Sequence, residues 1–184
     1  MRSMRACARP RPGAVFKPRD DLGEEGRVHE ARPHSAPHAP RLFVSDAAIE
    51  VMGEGLLAGT LPRAAWTHEA HLAACLWLCR ERPDIDVERR IPGVIARYNE
   101  SVGGVNDDHQ GYHETITQCF VRAVRLHLAE RTPCEPLVAS VNALLLSDRG
   151  RRDWPLRFYS AELLFSVAAR RGFVSPDRAP LPQA

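Results

Sequence analysis

Thr67-His68-Glu69-Ala70-His71-Leu72-Ala73-Ala74-Cys75-Leu76-Trp77-Leu78-Cys79-Arg80-Glu81-Arg82 is the stretch on which the fold of this chain turns. Thr67 suits a helix N-cap, Pro83 stops the run, and apolar residues recur between them at helical spacing. His68, Leu72, Cys75 and Cys79 share one face, flanked by His71 and Leu78, while Arg80 and Glu81 lie off it. The two imidazoles therefore continue an apolar stripe towards a core and do not join the charged side. Three residues apart on a helix, their Cβ atoms sit about 5–6 Å from one another.

The same reading extends in both directions. Ordered structure is expected from about Leu42, with Ser45 as N-cap, Asp46 at the positive end of the helix dipole, and a stripe of Ala48, Ile49, Met52 and Leu56. Gly59 and Pro62 end this first helix. A third helix is expected over 86–102, with Ile91, Val94, Ile95 and Tyr98 as its apolar side and Pro92-Gly93 placed to kink it. The polar loop Gly103 to Gly111 follows, and loops of this kind are where binding groups concentrate.

A fourth helix is expected from near Tyr112 to about Arg131. Its stripe is His113, Ile116, Phe120, Val124 and Leu128, which puts His113 in the first turn. A fifth runs from Leu137 to Leu146, and a sixth is capped by Ser160 and closed by Gly172, with core positions Ala161, Leu164, Phe165 and Ala168. From Pro176 the tail is proline-rich and expected to lie extended on the surface. No alternating strands, internal repeats, GxGxxG pattern or P-loop interrupts this series. The expected fold is all-α, a compact bundle of about six helices over residues 42–182. Residues 1–41, rich in Arg, Pro and His, are expected to form a disordered extension, because prolines at 10, 12, 18, 33, 37 and 40 break every period.

Composition excludes several classes of function. The net charge of +2 is too balanced to make nucleic acid or an anionic membrane the main partner. Residues 1–42 carry nine Lys/Arg against five Asp/Glu, leaving 16 against 18 in the remainder, so the globular part is slightly acidic. No apolar run approaches the ~18 residues of a membrane span, and the amino terminus lacks the apolar segment of a signal peptide. Five cysteines, an odd number, argue against a disulfide scaffold and for a reducing, cytoplasmic setting. Cys75, Cys79 and Cys119 read as small buried hydrophobes, with zinc ligation by the C-x3-C pair as the alternative.

The histidines carry the chemistry. His68, His71 and His113 extend the buried stripes of two helices, and His109 sits in the adjoining loop. A buried imidazole needs partners for both ring nitrogens, and several in one small domain are most easily satisfied by a shared ligand. Helix N-termini disfavour imidazolium and keep such rings neutral, the form that binds metal or acts as a base. His68, His71 and His113, with His109, Glu69, Glu114 or Asp108 as a fourth ligand, would make an imidazole-rich centre with an open position for a divalent metal ion. Zinc would lower the pKa of a bound water to about 7 for hydrolysis, and iron would activate oxygen. Glu69 and Glu114 are candidate proton carriers, although each also reads as a first-turn charge complementing its helix dipole. Trp66 and Tyr112 could wall a pocket, and Arg152, in the cluster Arg149, Arg151, Arg152 and Arg157, could receive a carboxylate or phosphate. His68-Glu69-Ala70-His71 is not H-E-x-x-H, and His113-Glu114-Thr115-Ile116-Thr117 lacks its second histidine, so neither points to a peptidase.

Trp66-Thr67-His68-Glu69-Ala70-His71-Leu72, Tyr112-His113-Glu114-Thr115-Ile116-Thr117 and the ending Ala169 to Leu181 together resemble an uncharacterised family of small bacterial helical proteins. The likeness spans roughly residues 42–182. It implies the domain limits and carries no activity with it.

Three functions are compatible with these features. The first is a metal-dependent enzyme, oxidative or hydrolytic, acting on a small molecule. The second is a metal-free isomerase, cyclase or dehydratase using His113 as base and His68 as acid. The third is a non-catalytic module that binds a small molecule or a protein.

Overall fold

The computed structural model describes residues 39–183, so the expected extension falls outside the described residues up to residue 38. Among the described residues every regular element is helical and none is long and apolar enough to cross a membrane. Five helices of ten residues or more come first: α1 (Asp46–Ala58), α2 (His68–Glu81), α3 (Val87–Ser101), α4 (Glu114–Ala129) and α5 (Leu137–Leu146). Two short ones follow, α6 (Ala161–Leu164) and α7 (Val167–Arg171).

Local chemistry sets most of the boundaries. Ser45, Thr67 and Asp86 each accept a hydrogen bond from the amide three residues on, and Gly59 ends α1 in the left-handed region at φ 70°. The single sixth helix expected from Ser160 to Gly172 is broken in two. Ser166 adopts extended backbone and caps α7 by accepting from the Ala169 amide at 3.1 Å. The interruption shifts the helical phase, so Leu164 and Ala169 are buried while Ala161, Phe165 and Ala168 face solvent.

α2 is the axis of the molecule. It packs against α1, α3, α4 and α5, and Leu72 to Leu78 are buried without interruption. A helix apolar all round belongs in the middle of a core, so the stripe read from its sequence is only part of a fully enclosed surface. Gly53 of α1 lets Trp77 lie against the helix backbone, since a Cβ at that position would stand 2.3 Å from the indole. Pro92 sits inside α3, where it cannot donate to the Glu88 carbonyl. The Gln118 side-chain amide on α4 donates to that carbonyl instead, at 3.2 Å.

A smaller cluster of Cys119, Ala123, Trp154, Tyr159 and Leu164 joins α4 to the C-terminal region. Thr115 pins the tail by donating to the Gly172 carbonyl and accepting from the Val174 amide. The turn after α5 packs against α4 and also meets the first residue of α2, His68, at the Gly150 carbonyl.

Candidate functional site

His68 is the first residue of α2, and its Nε2 lies 2.8 Å from the carbonyl oxygen of Gly150, in the turn after α5. A carbonyl only accepts, so Nε2 carries the proton and Nδ1 keeps its lone pair. Gly150 is required at that turn because a Cβ there would come 2.4 Å from the Leu144 carbonyl oxygen. One turn along α2, His71 donates from Nδ1 to the carbonyl of Thr67 at 2.6 Å, which leaves Nε2 as its basic nitrogen. Trp66 lies over the His71 ring, with centroids 3.7 Å apart and planes 31° from parallel.

Both rings line a hollow of about 460 Å³ with Trp66, Phe120, Cys75 and Arg152. His71 is reached by solvent through this hollow, yet protein crowds the ring. That desolvation, reinforced by the charge of nearby His68 and Arg152, outweighs the Thr67 carbonyl and takes its pKa down to about 4. Burial also lowers His68, with the Gly150 carbonyl working the other way. Both imidazoles are neutral at physiological pH, each with one ring nitrogen not held by a protein carbonyl.

A second hollow of about 450 Å³ adjoins the first and shares Trp66, His71, Ile95, Ile116 and Thr117 with it. Its far side is formed by Tyr98 on α3 and by the loop at Gly104 and Gly111. Asn106 holds that loop, donating to the Ala96 carbonyl and accepting from the Tyr112 amide, each at 3.0 Å. Gly111, at φ 79°, leaves no room for a side chain against the Val105 carbonyl.

The remaining sequence-derived candidates are distributed differently. His113 lines the second hollow, but it is the N-cap of α4 and not a residue of its first turn. Its Nδ1 accepts from the Ile116 amide at 3.4 Å and its Nε2 donates to the Leu164 carbonyl at 3.0 Å. Both nitrogens are thereby engaged, and burial, followed by the charge of Arg170, lowers its pKa. His109 stands exposed on the loop, where its amide bonds Asp107.

Glu69 is buried in the first turn of α2. Burial alone would raise its pKa, but its own amide, the Thr67 hydroxyl and the charge of Arg152 outweigh that and hold it below the usual value. It stays ionised and is a poor proton donor. Glu114 faces away from the two hollows, accepting from the Tyr112 hydroxyl at 2.7 Å and from Gln118 at 2.9 Å. It belongs to a groove of about 560 Å³ on the other side of α4, where Glu88 and Arg125 are already paired. Tyr112 reaches both faces, its ring on the second hollow and its hydroxyl on Glu114.

Among the described residues no group of three or more His, Cys, Asp or Glu side chains is arranged to hold a metal ion. The geometry instead brings together His68, His71, Trp66 and Arg152, with His113 on the adjoining wall. Phe120, Arg63 and Tyr98 also line the hollows, and no sequence motif marks them as site residues. Tyr98 carried a signal, since a tyrosine among Ile91, Val94 and Ile95 brings a hydroxyl into an apolar face and that hydroxyl needs a partner. His127 is buried and donates to the Ser140 carbonyl at 3.0 Å. No model of a protein family, curated protein or solved structure matches the chain.

Proposed function

We propose that this protein is a small-molecule enzyme that moves a proton on an organic acid bound in the hollow of His68, His71, Trp66 and Arg152. One observation carries the reading. His68 and His71 are each fixed in a single tautomer by a backbone carbonyl, which leaves each with one basic ring nitrogen, and both residues line the same partly apolar hollow. Arg152, which makes no ion pair among the described residues, supplies the charge that selects an anion. Trp66 and Phe120 supply the apolar walls.

His71 is the proton acceptor in this reading. In the free protein its low pKa keeps Nε2 unprotonated. A bound anion, opposite in charge to imidazolium, raises the basicity of His71 against the burial that lowers it, towards the operating pH where a general base works best. The proton passes from an acidic C–H of the acid to Nε2 and returns from the imidazolium to the same or a neighbouring carbon. Arg152 balances the negative charge held by the substrate in between. Isomerisation fits this balance without a further reactant, and dehydration fits where the imidazolium gives its proton instead to a departing hydroxyl, which leaves as water as the carbon–carbon double bond forms. His113 is not used as base, because both its nitrogens are already bonded.

The test is hydrogen exchange in heavy water. The protein is incubated with a panel of hydroxy, keto and unsaturated carboxylic acids, and deuterium at carbon is followed by proton NMR. Exchange that His71→Gln abolishes and His68→Gln reduces supports the reading. Acids that bind with no exchange at any carbon would leave only the binding module. Stoichiometric zinc or iron in purified protein, lost in both His68→Ala and His71→Ala, would replace the metal-free reading with the metal-dependent one.

A further inference from the structure

Tyr98 is 1% exposed, and its hydroxyl is the one buried side-chain oxygen or nitrogen without a hydrogen-bond partner among the described residues. Leaving such a group unpaired is unfavourable. A phenylalanine at the same position of α3 would fill the same space among Ile91, Val94 and Ile95 without that cost, so the hydroxyl calls for a role. Its surroundings indicate one. Tyr98 stands on the wall of the second hollow, its ring edge-on to Trp66 at 5.2 Å between centroids. Trp66 and His71 line this hollow as well as the first, together with Ile95, Ile116 and Thr117.

Arg63, in the turn before α2, lines the same hollow and makes no ion pair among the described residues. It lies near enough to Tyr98 for its charge to act on the phenol, against the larger effect of burial. Each hollow therefore has one unpaired arginine on its wall, Arg152 in the first and Arg63 in the second. A single molecule spanning the two adjoining hollows would meet a cation in each and the shared residues Trp66 and His71 between them.

Resting on the reading of the first hollow as an organic-acid site, we propose that the second hollow is a subsite for a second acidic group of the same molecule. The Tyr98 hydroxyl donates to that group and Arg63 neutralises it, so the ligand class is a short dicarboxylic acid with an apolar middle. The reacting carbon of such a diacid lies beside His71, which lines both hollows. A monoacid would occupy the first hollow and leave the Tyr98 hydroxyl unpaired.

Calorimetric titration of the full chain with glutarate, adipate and pimelate, against pentanoate, hexanoate and heptanoate, tests this. At least one diacid should bind about tenfold more tightly than its monoacid counterpart, as expected for one added charge-assisted hydrogen bond. That ratio should collapse to near unity in Tyr98→Phe and also in Arg63→Gln, a change at an exposed position that spares the core. Arg152→Gln should weaken both series. Diacids and monoacids of equal affinity, or a preference that survives Tyr98→Phe and Arg63→Gln, would overturn the second subsite. Monoacid binding dependent on Arg152 would then still uphold the first hollow. Failure of both series to bind would remove both.

Discussion

The indole of Trp77 occupies the space in which a side chain at position 53 would begin: a Cβ on Gly53 falls 2.3 Å from Cε3 and 2.7 Å from Cδ2 of that ring. Contact this short cannot be relieved by a rotamer change, because Trp77 is 3% exposed and enclosed by the core around α2. Gly53→Ala is therefore expected to push α1 away from α2, although alanine has the higher helix propensity. Overpacking of this kind costs about 1–3 kcal/mol, more than the ~1 kcal/mol that propensity returns. Urea unfolding should show a lowered midpoint with an unchanged slope. A more stable Gly53→Ala protein would show that the helices separate freely.

The imidazoles make stability depend on pH in one direction. His68, His71, His113 and His127 all have pKa values lowered in the folded protein, each first by burial, and His71 reaches about 4. The unfolded chain, with histidines near 6.5, then binds more protons than the folded chain between those values. Stability should be fully present above about pH 6.5 and decline as pH falls towards 4, with no further loss from His71 below that. His71→Gln should flatten part of the decline. Thermal unfolding across this range checks the slope, and NMR of the ring protons should find His71 titrating at about 4.

Much of this architecture was legible because cap chemistry is local. Ser45, Thr67 and Gly59 act on amides and carbonyls within five residues, so both ends of α1 and the start of α2 follow from the letters alone. Ser166 was missed because an apolar period running through it can equally be read as one helix; only the exposure of Phe165 reveals the break. The shared face of His68 and His71 was readable from their spacing. Which ring nitrogens they present was not, since the partner of His68 lies 82 residues away. The same holds for His113, whose ring is held by Leu164, 51 residues on. Its place in the stripe resembled that of a ligand, while its bonds make it a cap.

That capping role makes His113 separable from His71. His113→Ala removes the acceptor for the Ile116 amide and leaves the Leu164 carbonyl without its donor, at a cost of about 1–3 kcal/mol. His113→Asn can still cap α4 and should recover part of the loss. Deuterium exchange into a substrate acid should survive in whatever fraction of each variant is folded. In His71→Gln the pattern should reverse, with stability near wild type at pH 7 and exchange abolished. A His113→Asn protein that is folded and inert would return His113 to the reacting groups.

Pro92 and Gln118 should be energetically coupled. The proline leaves the Glu88 carbonyl without its helical donor, and the Gln118 side-chain amide takes that place at 3.2 Å while also donating to Glu114 at 2.9 Å. Gln118→Ala in the wild-type chain orphans a half-buried carbonyl and should cost about 1 kcal/mol. In a Pro92→Ala background residue 92 again has an amide that can reach Glu88, so the same substitution should cost only what the Glu114 contact contributes. The double-mutant cycle should give a coupling of at least ~0.5 kcal/mol, read from urea midpoints of the four proteins. Strict additivity would mean that water satisfies Glu88 as well as glutamine does. In that case the tolerance of α3 for an internal proline would come from its position near the first turn rather than from α4.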